Sequence, residues 1–182
     1  MRFAAVATIL ASVAIAAPAA AVEREQHVGL DAGSAILGMS DKTDVGVALG
    51  AHWAYGLTDE FNLMAEGSFS LVSPGESIAS AATPRTRPAT TANAGVGVAY
   101  VFDILRWVPY AGILAEGYAL MGGTLPSTTW IPGGAIAVGL DYRLDRSFAA
   151  GVAFRQHLLA TDTSTYPSFT QVFARVEYTW GW

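Results

Sequence analysis

Gln171-Val172-Phe173-Ala174-Arg175-Val176-Glu177-Tyr178-Thr179-Trp180-Gly181-Trp182, the last twelve residues, decide the fold. The even positions are Val172, Ala174, Val176, Tyr178, Trp180 and Trp182, all apolar and ending in aromatics. The odd positions include Gln171, Arg175, Glu177 and Thr179. A side-chain period of two predicts a strand with one apolar face. Three large aromatics at a fraying, wet strand end suit a soluble sheet poorly. They suit a membrane–water interface, where amphipathic rings collect.

The same period recurs upstream, broken by turn signals. It predicts strands at about Gln26–Leu37, Val45–Leu57, Phe61–Val72, Ala92–Phe102, Trp107–Met121, Ala135–Leu144 and Phe148–Leu159, with the terminal strand as the eighth. The second is the clearest, with Val45, Val47, Leu49, Ala51, Trp53, Tyr55 and Leu57 alternating against small residues and His52. The fifth is apolar on both faces; placing Glu116 inside puts Ala111, Ile113, Ala115 and Ala119 outside. Each strand is long enough to cross a bilayer at a tilt.

The connections alternate in length. Thr58-Asp59-Glu60, Asp103–Arg106 and Asp145-Arg146-Ser147 are short turns, whereas Ser73–Thr91, Gly122–Gly134 and Ala160–Pro167 are longer and lack an apolar period. An even strand number with short periplasmic turns and longer outer loops is the rule for outer-membrane barrels. Both termini are then expected in the periplasm and the longer loops outside the cell. The aromatics agree, because Trp53, Tyr55, Phe61, Tyr100, Phe102, Trp107, Tyr142, Phe148, Tyr178, Trp180 and Trp182 fall at one level from strands running both ways. A soluble lipocalin-like barrel would instead turn its large residues inward around a ligand. The expected fold is all-β, an eight-stranded antiparallel up-and-down transmembrane barrel.

Composition fits this reading. Arg2, the apolar run Val6–Ile15 and Ala19-Ala20-Ala21 read as a signal peptide over residues 1–21, leaving a barrel domain over 22–182. An uncleaved anchor helix is the alternative. Beyond that segment no run of 18 apolar residues could span as a helix. The chain has no cysteine, so disulfides are unavailable to it. Its formal net charge of −5, without a basic cluster, argues against nucleic acid as a partner.

The terminal Val176-Glu177-Tyr178-Thr179-Trp180-Gly181-Trp182, the strand count and the loop asymmetry resemble the small eight-stranded outer-membrane barrels of the OmpA and OmpX type. The resemblance covers about Gln26 to Trp182 and implies that Tyr178, Trp180 and Trp182 form the C-terminal signal read by the barrel assembly machinery. It implies outer-membrane lipid and lipopolysaccharide as surroundings, and specifies activity poorly. OmpA-type proteins often carry a periplasmic peptidoglycan-binding domain, and no segment here supplies that role. A monomer is expected.

The inward positions are polar or small: Asp31, His52, Glu66, Asn93, Glu116, Asp141, Arg143, Arg155, His157, Gln171, Arg175 and Glu177. Eight strands leave a lumen just wide enough for side chains to fill. Unpaired charges there are costly, so Arg155 and Arg175 are expected to be held by Glu66, Glu116 and Glu177. The width favours a structural salt-bridge network over an ion path or a catalytic carboxylate set.

Other motifs give little. His157, Asp162 and Ser164 invite a hydrolase reading. Lipid A deacylases are eight-stranded barrels with a His-x-Ser pair on a strand, but Leu159 stands two residues after His157. Gly95-x-Gly97 has no following helix, and Asp41 with Asp44 reads as a solvated turn rather than a cation site. No cofactor motif or metal-ligand set stands out, and no catalytic residues are assigned. In the loops, Arg85 and Arg87 could meet phosphates or an acidic partner, and Trp130 could anchor an extracellular ligand or rest on the rim. The sequence therefore favours a non-enzymatic surface barrel whose loops make the contacts. An outer-leaflet lipid-modifying enzyme and a narrow channel are the alternatives.

Overall fold

The computed structural model describes residues 24–38, 43–73, 87–102, 104–161 and 168–181. Eight strands follow in chain order: β1 Gln26–Gly38, β2 Thr43–Gly56, β3 Phe61–Ser73, β4 Thr90–Val101, β5 Trp107–Met121, β6 Thr129–Arg143, β7 Phe148–Leu159 and β8 Ser168–Trp180. Each pairs antiparallel with its neighbour in sequence, and β1 pairs β8 from Gln26↔Trp180 to Gly38↔Ser168, closing the barrel. Closure removes both sheet edges, so the ladder satisfies its own backbone groups, which hydrocarbon could not.

Alternation decides what faces where. Leu30, Leu49, Val96, Ile113, Val152 and Val176 are exposed on the outer wall. Asp31, His52, Glu116, Arg155 and Arg175 are buried in the lumen. On β5, Glu116 points inward while Ala111, Ile113 and Ala115 are exposed. Ala119 keeps the outer parity but is covered, opposite Trp130 in the ladder.

The end carrying the three short connections is here called the turn end, and the opposite one the loop end. Local chemistry closes each turn. Thr58 Oγ1 accepts from the Phe61 N–H at 3.0 Å, and Asp145 Oδ1 accepts from Ser147 and Phe148 N–H at 2.7 and 2.9 Å. Between β4 and β5, Ile104 and Trp107 exchange backbone hydrogen bonds at 3.0 Å around the pair Leu105-Arg106. At this end the outward aromatics touch across strands: Phe61 with Tyr100 at 5.1 Å, Trp107 with Tyr142 at 4.8 Å, Phe148 with Tyr178 at 5.2 Å between centroids. They form the belt expected from the sequence.

One boundary is corrected. Trp130 does not lie in a Pro-flanked loop; it sits on β6, opposite Ala119 on β5, outward-facing and 76% exposed. Proline read as loop punctuation here because a ladder usually needs its N–H. In a strand a residue's N–H and C=O point to the same side. The Pro132 carbonyl accepts from Ala160, just past the end of β7, and the Pro109 carbonyl accepts from Phe102, just past the end of β4. Each missing N–H therefore faces a place where the neighbouring strand has already ended.

Candidate functional site: the lumen and its two mouths

The interior is stacked in layers. Nearest the turn end is an open vestibule of about 510 Å³, whose lining includes Glu25, His27, Val108, Asp141, Arg143 and Glu177. A small cavity of about 40 Å³ continues inward and stops at Tyr110 and Arg175.

A charged belt follows. Arg175 donates to Glu177 at 3.1 Å and lies 3.7 and 3.6 Å from Asp31 and Asp141. Arg155 Nε sits between both oxygens of Glu66, at 3.0 and 2.9 Å. Tyr110 separates these two cations: its hydroxyl accepts from each arginine, and their guanidinium carbons lie 5.7 and 5.1 Å from its ring centroid. Glu116 is inside, yet no arginine holds it. His157 Nδ1 meets it at 2.7 Å, Tyr118 donates at 2.5 Å and Asn93 at 3.3 Å.

Histidines share these acids with the arginines. Asp31 pairs with His52 at 2.9 Å, and Glu177 is reached by His27 at 2.8 Å and His52 at 3.1 Å. Glu25 lies 3.6 Å from His27 and 3.7 Å from Arg143. Gln171 ties the network upward, meeting His157 at 2.9 Å and donating to Ser68 and Ser70 at 2.8 Å each.

Above this belt the lumen turns apolar. Leu37, Val72, Leu120, Leu159, Phe169 and Phe173 pack together, each buried. At the loop end, Asp44 is buried beneath Arg87, whose Nη1 lies 3.5 Å from it, and Thr124 Oγ1 accepts from the Arg87 backbone N–H at 2.7 Å. From vestibule to cap no open channel runs through the described residues.

Two lumen glycines show how tightly these layers fill. Gly139 faces the Tyr110 ring across the β5–β6 ladder, and Gly95 faces Glu116 across β4–β5. A Cβ at either position would collide with that side chain. The large residue occupies the space its partner leaves.

The structure distributes the sequence-marked residues unevenly. Glu66 meets Arg155, and Glu177 meets Arg175, while Glu116 joins His157 instead. Tyr178 and Trp180 lie in the aromatic belt, stacked at 5.7 Å. Trp182 and Arg85 fall outside the described residues, as do Asp162, Ser164 and Asp41. Arg87 is corrected from a projecting loop residue to a buried one in the barrel mouth. His157 is fully buried, with its ring stacked on Phe169 at 4.6 Å. Tyr110, Tyr118 and Glu25 escaped the sequence reading. The two tyrosines share the parity of Glu116, which is the signal that could have found them.

A closed barrel with an apolar wall, an aromatic belt and a filled lumen defines a class, the small transmembrane barrels. The chain belongs to the outer membrane protein beta-barrel domain family, whose model matches residues 6–179. Solved structures of similar fold include Neisserial surface protein A, at 14% identity and TM-score 0.66, covering 84% of this chain and 96% of that one. The N-terminal barrel domain of Pseudomonas aeruginosa OprF follows at 12% identity and TM-score 0.59, covering 87% and 98%. The attachment invasion locus protein Ail of Yersinia pestis, solved with the heparin analogue sucrose octasulfate, has 13% identity and TM-score 0.56, covering 87% and 99%. No curated protein sequence matches the chain.

Proposed function

We propose that this outer-membrane barrel is a non-enzymatic, monomeric scaffold whose longer loops make its contacts at the cell surface. The turn end and both termini face the periplasm, and the loop end faces out. The observation that carries this reading is the apolar layer of Leu37, Val72, Leu120, Leu159, Phe169 and Phe173 above the charged belt. It supports a lumen closed to solute, with Glu116 and His157 buried beneath it. Function then falls to surface loops on a rigid support, where binding commonly resides.

With Arg87 turned into the mouth, Arg85 is the remaining basic residue of the first long loop for contact with lipopolysaccharide phosphates or an acidic partner. Trp130 presents its ring on the outer wall of β6. The test replaces residues 74–86 with a four-residue turn and keeps Arg87. The barrel should still fold and shift its gel mobility on heating, while surface binding is lost. Retained binding would oppose the reading. Protease cleavage within the loops on intact cells tests the sidedness, and protection there would reverse it.

A further inference from the structure

We propose that Leu105, Arg106, Trp107 and Tyr142 form a binding site for one anionic phospholipid on the outer wall at the turn end.

The turn itself is the first observation. Leu105 occupies the first position of a two-residue hairpin turn at φ 61, while Arg106 keeps a negative φ. A turn of this shape ordinarily places glycine there, because a side chain is strained in the left-handed region. Leu105 is also 90% exposed, the most exposed large apolar residue among those described. Strain and exposure coincide at one side chain, and both are offset when that side chain enters a bilayer. A strained residue held by its surroundings is a pointer to a site.

The second observation is chemical. An open hollow of about 580 Å³ is lined by Leu105, Arg106, Trp107 and Tyr142. Trp107 and Tyr142 meet edge to face at 4.8 Å and supply its apolar wall. Arg106 Nη1 reaches the Tyr142 hydroxyl at 3.5 Å, and no ion pair joins Arg106 to any described residue. A guanidinium poised over an aromatic belt offers forked donors to a phosphate oxygen, with acyl chain against the rings below. The adjacent turn sets exposed Arg146 beside exposed Asp145 and is neutral overall, so Arg106 supplies the charge of the site. The neighbouring β2–β3 turn carries Asp59 and Glu60 instead, so the preference belongs to one sector of the rim.

The inference rests on the turn end lying in the phospholipid leaflet, but its test does not depend on sidedness. The folded mature barrel is reconstituted into phosphatidylcholine vesicles holding equal fractions of either brominated phosphatidylglycerol or brominated phosphatidylcholine. Bromine quenches indole fluorescence on contact, and the Trp107 signal is the difference between the native chain and Trp107→Phe. Phosphatidylglycerol should be enriched at Trp107 by about fivefold, the scale of one basic side chain at a membrane surface. Arg106→Gln should abolish the preference, and Arg106→Lys should retain most of it, with unchanged heat-shifted gel mobility reporting a folded barrel in each. Equal quenching by the two lipids in the native chain, or a preference surviving Arg106→Gln, overturns the site.

Discussion

Glu116 shows what a single buried position does in this barrel. Its carboxylate collects His157, Tyr118 and Asn93, so removing it takes an acceptor from His157 and Asn93 in a closed interior, while Tyr118 keeps the Gly134 carbonyl at 2.8 Å. Breaking such a buried pair costs about 3–5 kcal/mol. Glu116→Ala should lower the unfolding free energy in micelles by that amount, against little change for Ser127→Ala on an exposed loop. Equal stability would mean the carboxylate is solvated. Gly139→Ala tests the opposite fault, too much volume. Its new methyl meets a Tyr110 ring already pinned between Arg155 and Arg175, and overpacking of this kind costs about 1–3 kcal/mol. Tyr110→Ala in the same chain should recover part of that loss, which a double-mutant cycle would read. At this scale the sequence was half legible. Parity alone put Glu116 inside. Its partner depends on heights across the lumen, which parity does not carry. The ladders set Arg155 opposite Ala137 and so at Gly112, whereas His157 lies opposite Ala135 and so at Leu114, closer to Glu116.

Strands and turns were the most legible level, because burial of one face writes a period of two along each of them. The turns at Thr58 and Asp145 were readable because their side chains replace backbone acceptors. The loop-end starts of β4 and β6 were not. There Thr90, Thr91 and Thr129 are polar and Pro132 interrupts the run after Trp130, so these starts gave no periodic signal although they continue the ladders. The terminal strand carries its own prediction. Trp180 pairs with Gln26 at the seam, and the backbone beside it runs on to Gly181. Deleting residues 180–182 should leave the seam open at its turn end and the assembly signal removed. The truncated chain should then fail to yield a heat-modifiable band from outer membranes, accumulating as degraded or aggregated protein. Normal insertion would show that the terminal aromatics are dispensable.

At the scale of the whole molecule, the lumen is arranged as an open vestibule, a charged belt and an apolar layer beneath a capped mouth. Polar groups near the turn end can be wetted, while those in the belt are held mainly by one another, Arg175 reaching Asp31 and Asp141 as ion pairs at 3.7 and 3.6 Å rather than as hydrogen bonds. The apolar layer is the uncharged part of the barrier between the two mouths, above the Tyr110 and Arg175 layer, and it is the part that can be thinned by design. Phe169→Ala combined with Phe173→Ala removes two fully inward rings without touching an ion pair, and should admit a small current if the barrel stays folded. The charged interior was legible in the strand parity, but the apolar layer was not. Leu37 was placed only at a strand end, and Phe173 sits on the polar face of β8, where its parity marked it as inward but its neighbours marked that face as charged.

The most direct measurement is single-channel conductance of the purified native barrel in a planar bilayer, with the Phe169→Ala/Phe173→Ala variant beside it. A closed lumen predicts a quiet native trace and a current only in the variant. A large, steady conductance from the native protein would contradict the account, and would place the function in the lumen rather than in the loops.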